Sequence, residues 1–370
     1  MECKPTGPLD AKILFVAEAP GGEEEREGKP LIGSSGQEFT RCLKEAGIPR
    51  EICRLDNVFH WRPPNNKFHF EWCSSKKVVS EQYKELKAAL AKTCPKYPWP
   101  STYTWASVGQ GKYLNPEHLP ELQRLKEEII SVKPNLVVAL GGVSAWALLG
   151  TSGITKLRGV VAESSLVLGQ KVLPTWHPAY IQRVWESRLT LIADLIKAKR
   201  EMEFSEIRRP QRKIWINPTI DDIVLFKDKY IVGASLLAFD TETERKQITC
   251  ISFAPRRDLA ITIPFVDKTK PGYNYYQNVE DEVRAWRLVK EILLMPMPKL
   301  AQNGVYDLQY LWKPHGIEVR NYLEDTMLLH HALYIELKKD LGYLGSVYTD
   351  EAAWKLMRHR AKDTVEKKDD

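Results

Sequence analysis

Nowhere in its 370 residues does the chain carry an apolar run long enough to span a membrane, and no signal peptide opens it. A cytoplasmic setting is the expectation. Cysteine is scarce: the six, at 3, 42, 53, 73, 94 and 250, include no C-x-x-C pair and no secreted disulfide framework. Cys73 and Cys94 bracket an insertion and read either as partners or ligands, or as free thiols. Internal repeats are absent, which excludes a solenoid. So is an excess of one charge: 54 Lys and Arg against 48 Asp and Glu leave +6, compatible with a polyanionic partner without defining one.

What is present begins with carboxylates. The apolar run Leu236-Leu237-Ala238-Phe239 reads as a buried strand that runs into Asp240-Thr241-Glu242. Alternate side chains of a strand share a face, so Asp240 and Glu242 point the same way. Side-by-side carboxylates are tolerated where cations sit between them. A second piece, Gln302-Asn303-Gly304-Val305-Tyr306-Asp307, brings a third acid. Three acids converging on hard divalent ions make a two-metal site of the kind that cleaves phosphodiesters.

The front half carries different signals. Ala11 to Ala17 is an apolar strand that runs into the turn Glu18-Ala19-Pro20-Gly21-Gly22. Residues 133–142 hold a second apolar strand followed by glycines, and helical patterns lie at 34–47 and 117–132. Apolar runs separated by helices argue a parallel sheet covered on both faces. Ligands of such sheets bind beyond the strand C-termini, where Glu18 and the turn after Val172 to Pro178 belong. The stretch at 201–213 is charged and reads as a linker between two domains, 1–200 and 214–370. Residues 95–116 read as a loop or insertion.

These motifs resemble two known families. The segment ILFVAEAPGGEEEREGKPLIGSSGQEF resembles the first motif of family 4 uracil-DNA glycosylases. Asp56-Asn57-Val58 with Arg62 to Asn66 resembles their uracil-reading segment. Ile154 to Gly159, and Pro174 to Arg183, resemble their second motif. The match runs from about 11 to 195 and implies a three-layer α/β/α fold acting on a base flipped out of DNA. It further implies that Glu18 positions or activates water, that Asn57 reads the uracil edge, and that His177 stabilises the leaving base. Tyr180 to Arg183 would press into DNA, and Leu31 stands where the family has a stacking ring. Taken singly, Glu18 also fits a turn cap, Asn57 a satisfied loop residue and His177 a buried turn residue. Family 4 members hold an iron–sulfur cluster on four cysteines. Here the N-terminal pair is absent and Glu121 occupies a later ligand position, so no cluster is expected.

The second half, about 214–357, resembles the 3′–5′ proofreading exonuclease domain of family A DNA polymerases. FDTET resembles its first motif and QNGVYD its second, with further likeness at Glu324 to Leu328 and Tyr348 to Lys355. The resemblance implies a ribonuclease H-like α/β fold, with Mg2+ or Mn2+ held by Asp240, Glu242 and Asp307, and with Asn303 and Tyr306 beside the substrate. The family's third motif is missing; His359 and Asp363 are the nearest substitute. Either the chain is cut before that motif or its exonuclease is impaired.

Together the two resemblances imply a DNA-processing protein like the N-terminal part of a phage-type family A polymerase. DNA would be its partner, with a polymerase domain or other replication proteins, in a phage-infected or bacterial cell. The alternatives are a glycosylase whose exonuclease domain is scaffold, and a non-catalytic DNA-binding or assembly module.

Overall fold

A computed structural model describes residues 1–93 and 106–351. Cys94, the first half of the expected insertion, the proposed substitute His359–Asp363 pair and the likeness beyond Glu351 lie outside the described residues. The chain divides into two compact units, one of Met1–Arg209 with Gly345–Asp370 and one of Pro210–Leu344. The first boundary between them lies between Arg209 and Pro210. Gly345 onward goes with the first unit, although the sequence grouped it with the second. The helix Ser187–Glu201 ends where the charged stretch begins and buries Lys197 and Ala198, and Glu201 and Met202 at the start of that stretch are buried too.

Among its described residues the first unit has seven strands: β1 (Ile13–Ala17), β2 (Arg54–Asn57), β3 (Cys73–Ser75), β4 (Lys112–Leu114), β5 (Leu136–Leu140), β6 (Ala162–Glu163) and β7 (Lys171–Thr175). Five form a sheet in the order β2-β1-β5-β7-β6, parallel except for the short β6 at the edge. β3 and β4 pair separately as an antiparallel ribbon. Alternation along the strands explains why they read as unbroken apolar runs. Leu14, Val16, Val137 and Ala139 face one core with Trp146 and the helix Leu119–Val132. Ile13, Phe15, Leu136 and Val138 face another with the helices Ser34–Ala46 and Ser187–Glu201. Both faces are dry, which gives the three-layer α/β/α sandwich. The edge-on pair Phe15–Phe39, with centroids 5.0 Å apart, locks one helix to the sheet and contributes about 1 kcal/mol beyond its burial.

The second unit has a six-stranded sheet. Its strands are β8 (Lys213–Trp215), β9 (Leu237–Glu244), β10 (Gln247–Arg256), β11 (Leu259–Pro264), β12 (Lys299–Ala301) and β13 (Tyr322–Asp325). The order is β13-β12-β9-β10-β11-β8. β9, β10 and β11 form an antiparallel meander, while β12 and β13 join in parallel on the β9 side. This is the ribonuclease H-like arrangement. The helix Val279–Leu294 is capped by Asn278, whose side chain accepts from the Asp281 N–H, and buries Ala285, Val289, Ile292 and Leu293 on the sheet.

Candidate active site

At the C-terminal edge of the first unit's parallel sheet is a cavity of about 650 Å³. Three strand ends build it: Glu18 and Ala19 follow β1, Gly141 and Gly142 follow β5, and Trp176 and His177 follow β7. Ile154, Thr155, Tyr180 and Arg183 complete one wall, and Glu24, Ser35, Pro63 and Asn66 complete another. A parallel sheet concentrates loop-borne groups at this edge, and the volume suits a small molecule or a single base.

Glu18 is held by its backbone, its carbonyl accepting from the Phe59 N–H at 3.1 Å. Burial pushes its carboxyl up to about 7, because the low-dielectric floor disfavours the anion. Near neutrality it therefore exchanges a proton readily. His177 ends β7's extension and opens a short helical turn. Its Nδ1 accepts from the Ala179 N–H at 3.1 Å. Burial, with a smaller contribution from the Arg183 charge, pulls its ring down to about 4. The ring is then neutral at physiological pH. With Nδ1 used as an acceptor, its proton resides on Nε2. Trp176 stacks on Tyr180 at 4.6 Å and fixes the turn. Gly141 makes room for the histidine: its φ is +95°, and a Cβ there would lie 3.0 Å from the His177 Cβ.

Of the residues singled out in the front half, Glu18, His177 and Arg183 come together in this cavity, whereas Leu31 and Asn57 do not line it. Leu31 is 2% exposed and belongs to the core between sheet and helix. Its backbone is left-handed, and its carbonyl accepts from Arg50 at 2.7 Å and sits where a Cβ on Gly36 would fall. Its apolar side chain thus went to the core instead of the pocket wall. Asn57 is buried and donates to the Cys3 Sγ at 3.6 Å. Among the cavity residues that had no assigned role in the sequence are Glu24, Ser35, Trp176 and, last, the Gly141-Gly142 pair. The glycines directly after an apolar strand were the available signal for the last of these.

The position resembling a cluster ligand, Glu121, is committed elsewhere. Its Oε2 accepts from the His60 N–H at 3.3 Å and from Arg124 at 3.1 Å, and Arg124 also pairs with Asp56 at 2.8 Å. His60 bridges Asp56 and Glu2. Burial pushes the Cys3, Cys42, Cys53 and Cys73 thiols up to about 12, the reverse of what a thiolate ligand needs. These donors do not fit an iron–sulfur cluster.

In the second unit, Asp240 and Glu242 share the exposed face of β9, as the alternation required, with Thr241 buried between them. Asp307 does not join them. Its Oδ1 accepts both the N–H of Thr241, at 2.8 Å, and the Thr241 hydroxyl. Burial holds its carboxyl above the usual range against those bonds. Among the described residues no three acidic, histidine or cysteine side chains come together as a metal site. The expected trio for Mg2+ or Mn2+ is therefore not assembled: Thr241 points away from its neighbours on the strand and takes Asp307 with it. Asn303 adopts φ +57°, and its N–H and that of Gly304 bond the buried Asp325 carboxylate at 3.0 and 2.9 Å. The partly exposed Tyr306 meets Thr243 through its hydroxyl at 2.5 Å. Sequence reading did not assign Asp325 a role. It also accepts from the Tyr322 hydroxyl at 2.7 Å and caps the helix Thr326–Leu333. Burial raises its carboxyl, but these bonds outweigh that and hold it below the usual range.

A model of the uracil DNA glycosylase superfamily matches residues 4–204. The type-4 uracil-DNA glycosylase of Thermotoga maritima is 30% identical over 197 residues, covering 52% of this chain and 79% of that protein. The DNA polymerase of Bacillus phage SP01 is 21% identical over 354 residues, covering 88% of this chain but 33% of the phage protein. Among solved structures, Escherichia coli RNase D, an exoribonuclease involved in structured RNA processing, is similar at 20% identity and a TM-score of 0.24. That match covers 32% of this chain and 28% of the other.

Proposed function

The chain belongs to the uracil DNA glycosylase superfamily, and from that premise we propose that its first unit removes uracil from DNA by hydrolysis, without a metal. The observation that carries the reading is the cavity holding both Glu18, with its carboxyl raised to about 7, and the neutral ring of His177. The base enters flipped from its strand. Water attacks the sugar C1′, the bond from C1′ to the uracil N1 breaks, and the electron pair leaves with the base. Glu18, as carboxylate, orients the water and takes its proton. His177 donates from Nε2 to the leaving uracil oxygen, and a neutral donor suits an anion forming in a dry pocket. Arg183 at the cavity wall is placed to meet phosphate. Asn57, buried beside Cys3, would need to turn to read the base.

The second unit is an exonuclease-type fold, and its proposed role is DNA binding. Asp240 and Glu242 remain its candidate metal ligands, while Asp307 is held by Thr241. The similarity to a phage DNA polymerase across both units supports a setting in DNA replication or repair, with a polymerase or other replication protein as partner. The test is incubation of the chain with a uracil-containing oligonucleotide in EDTA. Free uracil and an alkali-labile site support the proposal, and an intact strand refutes it.

A further inference from the structure

Behind the cavity is a buried polar hub. Thr175, the last residue of β7 and two before His177, donates its hydroxyl to Asp194 Oδ2 at 2.7 Å. The Asp194 carboxylate also receives Arg158, through Nε at 3.0 Å and through a second guanidinium nitrogen. Arg158 follows the short helix Ile154–Leu157, which supplies Ile154 and Thr155 to the cavity wall. The hub thus joins two cavity walls. It is completed by residues distant in sequence. Arg158 Nη1 donates to the Ser346 hydroxyl at 2.9 Å. Lys197, buried beside them, donates to the carbonyls of Gly159 at 2.8 Å, Ser346 at 2.6 Å and Thr349 at 2.8 Å. Arg200 pairs with Asp350.

Two of these three carbonyls on Lys197 therefore come from 345–350, at the end of the helix Leu341–Tyr348. A cation suits the carbonyls ending a helix. Without that segment the lysine would lose most of its partners while still buried, which is costly. Gly159 allows the close approach: its φ is +73°, and a Cβ there would meet Asp194 Oδ1 at 2.8 Å and the Ser346 carbonyl at 3.0 Å.

We propose that residues 345–350 are a positioning element of the first unit, setting the cavity walls through Arg158, Asp194 and Thr175 and so aiming His177. In its effect on activity this rests on the glycosylase reading. None of these residues touches the base. The first unit then needs, for its full rate, a segment lying beyond the second unit in sequence.

The test uses the full chain with Lys197→Met, which keeps stem length and removes the charge, and Thr175→Val, which removes the hydroxyl while keeping shape. Both should lower kcat for uracil release by about tenfold with KM unchanged, and Thr175→Ser should restore it. Hydrogen exchange at the backbone amides of Gly159 and Gly141, which bond the Pro174 and Thr175 carbonyls, should quicken in Lys197→Met while other β5 amides stay protected. That readout needs no activity, so an inactive wild-type chain would refute the glycosylase reading and leave the hub still testable. Unchanged exchange in Lys197→Met would overturn the hub. Unchanged kcat in both variants, or a loss that Thr175→Ser fails to restore, would overturn its role in positioning.

Discussion

Glu18 gives the account its sharpest pH signature. Its carboxyl titrates at about 7 in the folded chain, against an ordinary value of 4.5. If the carboxylate orients and deprotonates water, only the ionised fraction works. That fraction is about one in a hundred at pH 5, about one in ten at pH 6 and about half at pH 7. Single-turnover uracil release should thus rise about tenfold from pH 5 to 6 and level off above 8. His177, titrating near 4, stays neutral over this range and adds no opposing limb. Glu18→Gln should lower the plateau by about 10²–10⁴-fold and abolish the slope. A second consequence concerns stability. A raised carboxyl favours the folded state most below 4.5, where both states are protonated, and that advantage is lost as pH rises through 7. The gap corresponds to about 3 kcal/mol at most, reduced by whatever solvent reaches the group. Glu18→Gln should therefore melt with wild type at pH 4 and above it at pH 8. A rate that is flat with pH, falls as pH rises, or keeps its slope in Glu18→Gln would refute the assignment.

Three further outcomes follow from the packing. Gly141→Ala should reduce uracil release by about 10²-fold, because a side chain at φ +95° is strained and its Cβ meets His177; release at wild-type rates would contradict the fit. Leu31→Phe should not improve binding to a uracil-containing strand. It should destabilise the first unit by about 1–3 kcal/mol in urea titrations, because the ring enters a filled core. Asp325→Ala should cost the second unit about 2–4 kcal/mol and loosen the Asn303 and Gly304 amides in hydrogen exchange, because one carboxylate holds that turn and a helix N-terminus.

Much of the architecture could be read from local pattern. Unbroken apolar runs at 13–17 and 136–140 point to a parallel sheet buried on both sides, and loop residues just past such strands fall at its C-terminal edge. This is why Glu18 and His177, 159 positions apart, were legible as neighbours in chemistry. Motif order does not report where a side chain is aimed. Leu31 follows the motif yet packs inward, because its left-handed backbone and the close approach of Gly36 orient it toward the core. Asp307 has the expected spacing, but a neighbouring hydroxyl and amide compete for its carboxylate. Charge pattern made 201–213 a linker, but it does not report where a single cation goes. Three backbone carbonyls bury Lys197 just before that stretch, two of them about 150 residues away, and no sequence period encodes such a pairing.

The most direct measurement is uracil release from a single-stranded oligonucleotide in EDTA, with the wild-type chain, Glu18→Gln and His177→Ala side by side. The account predicts free uracil and one alkali-labile site at the uracil for the wild type, with both variants slower by at least about 10²-fold. DNA that is bound but left intact by the wild type, or excision undiminished in both variants, would contradict it.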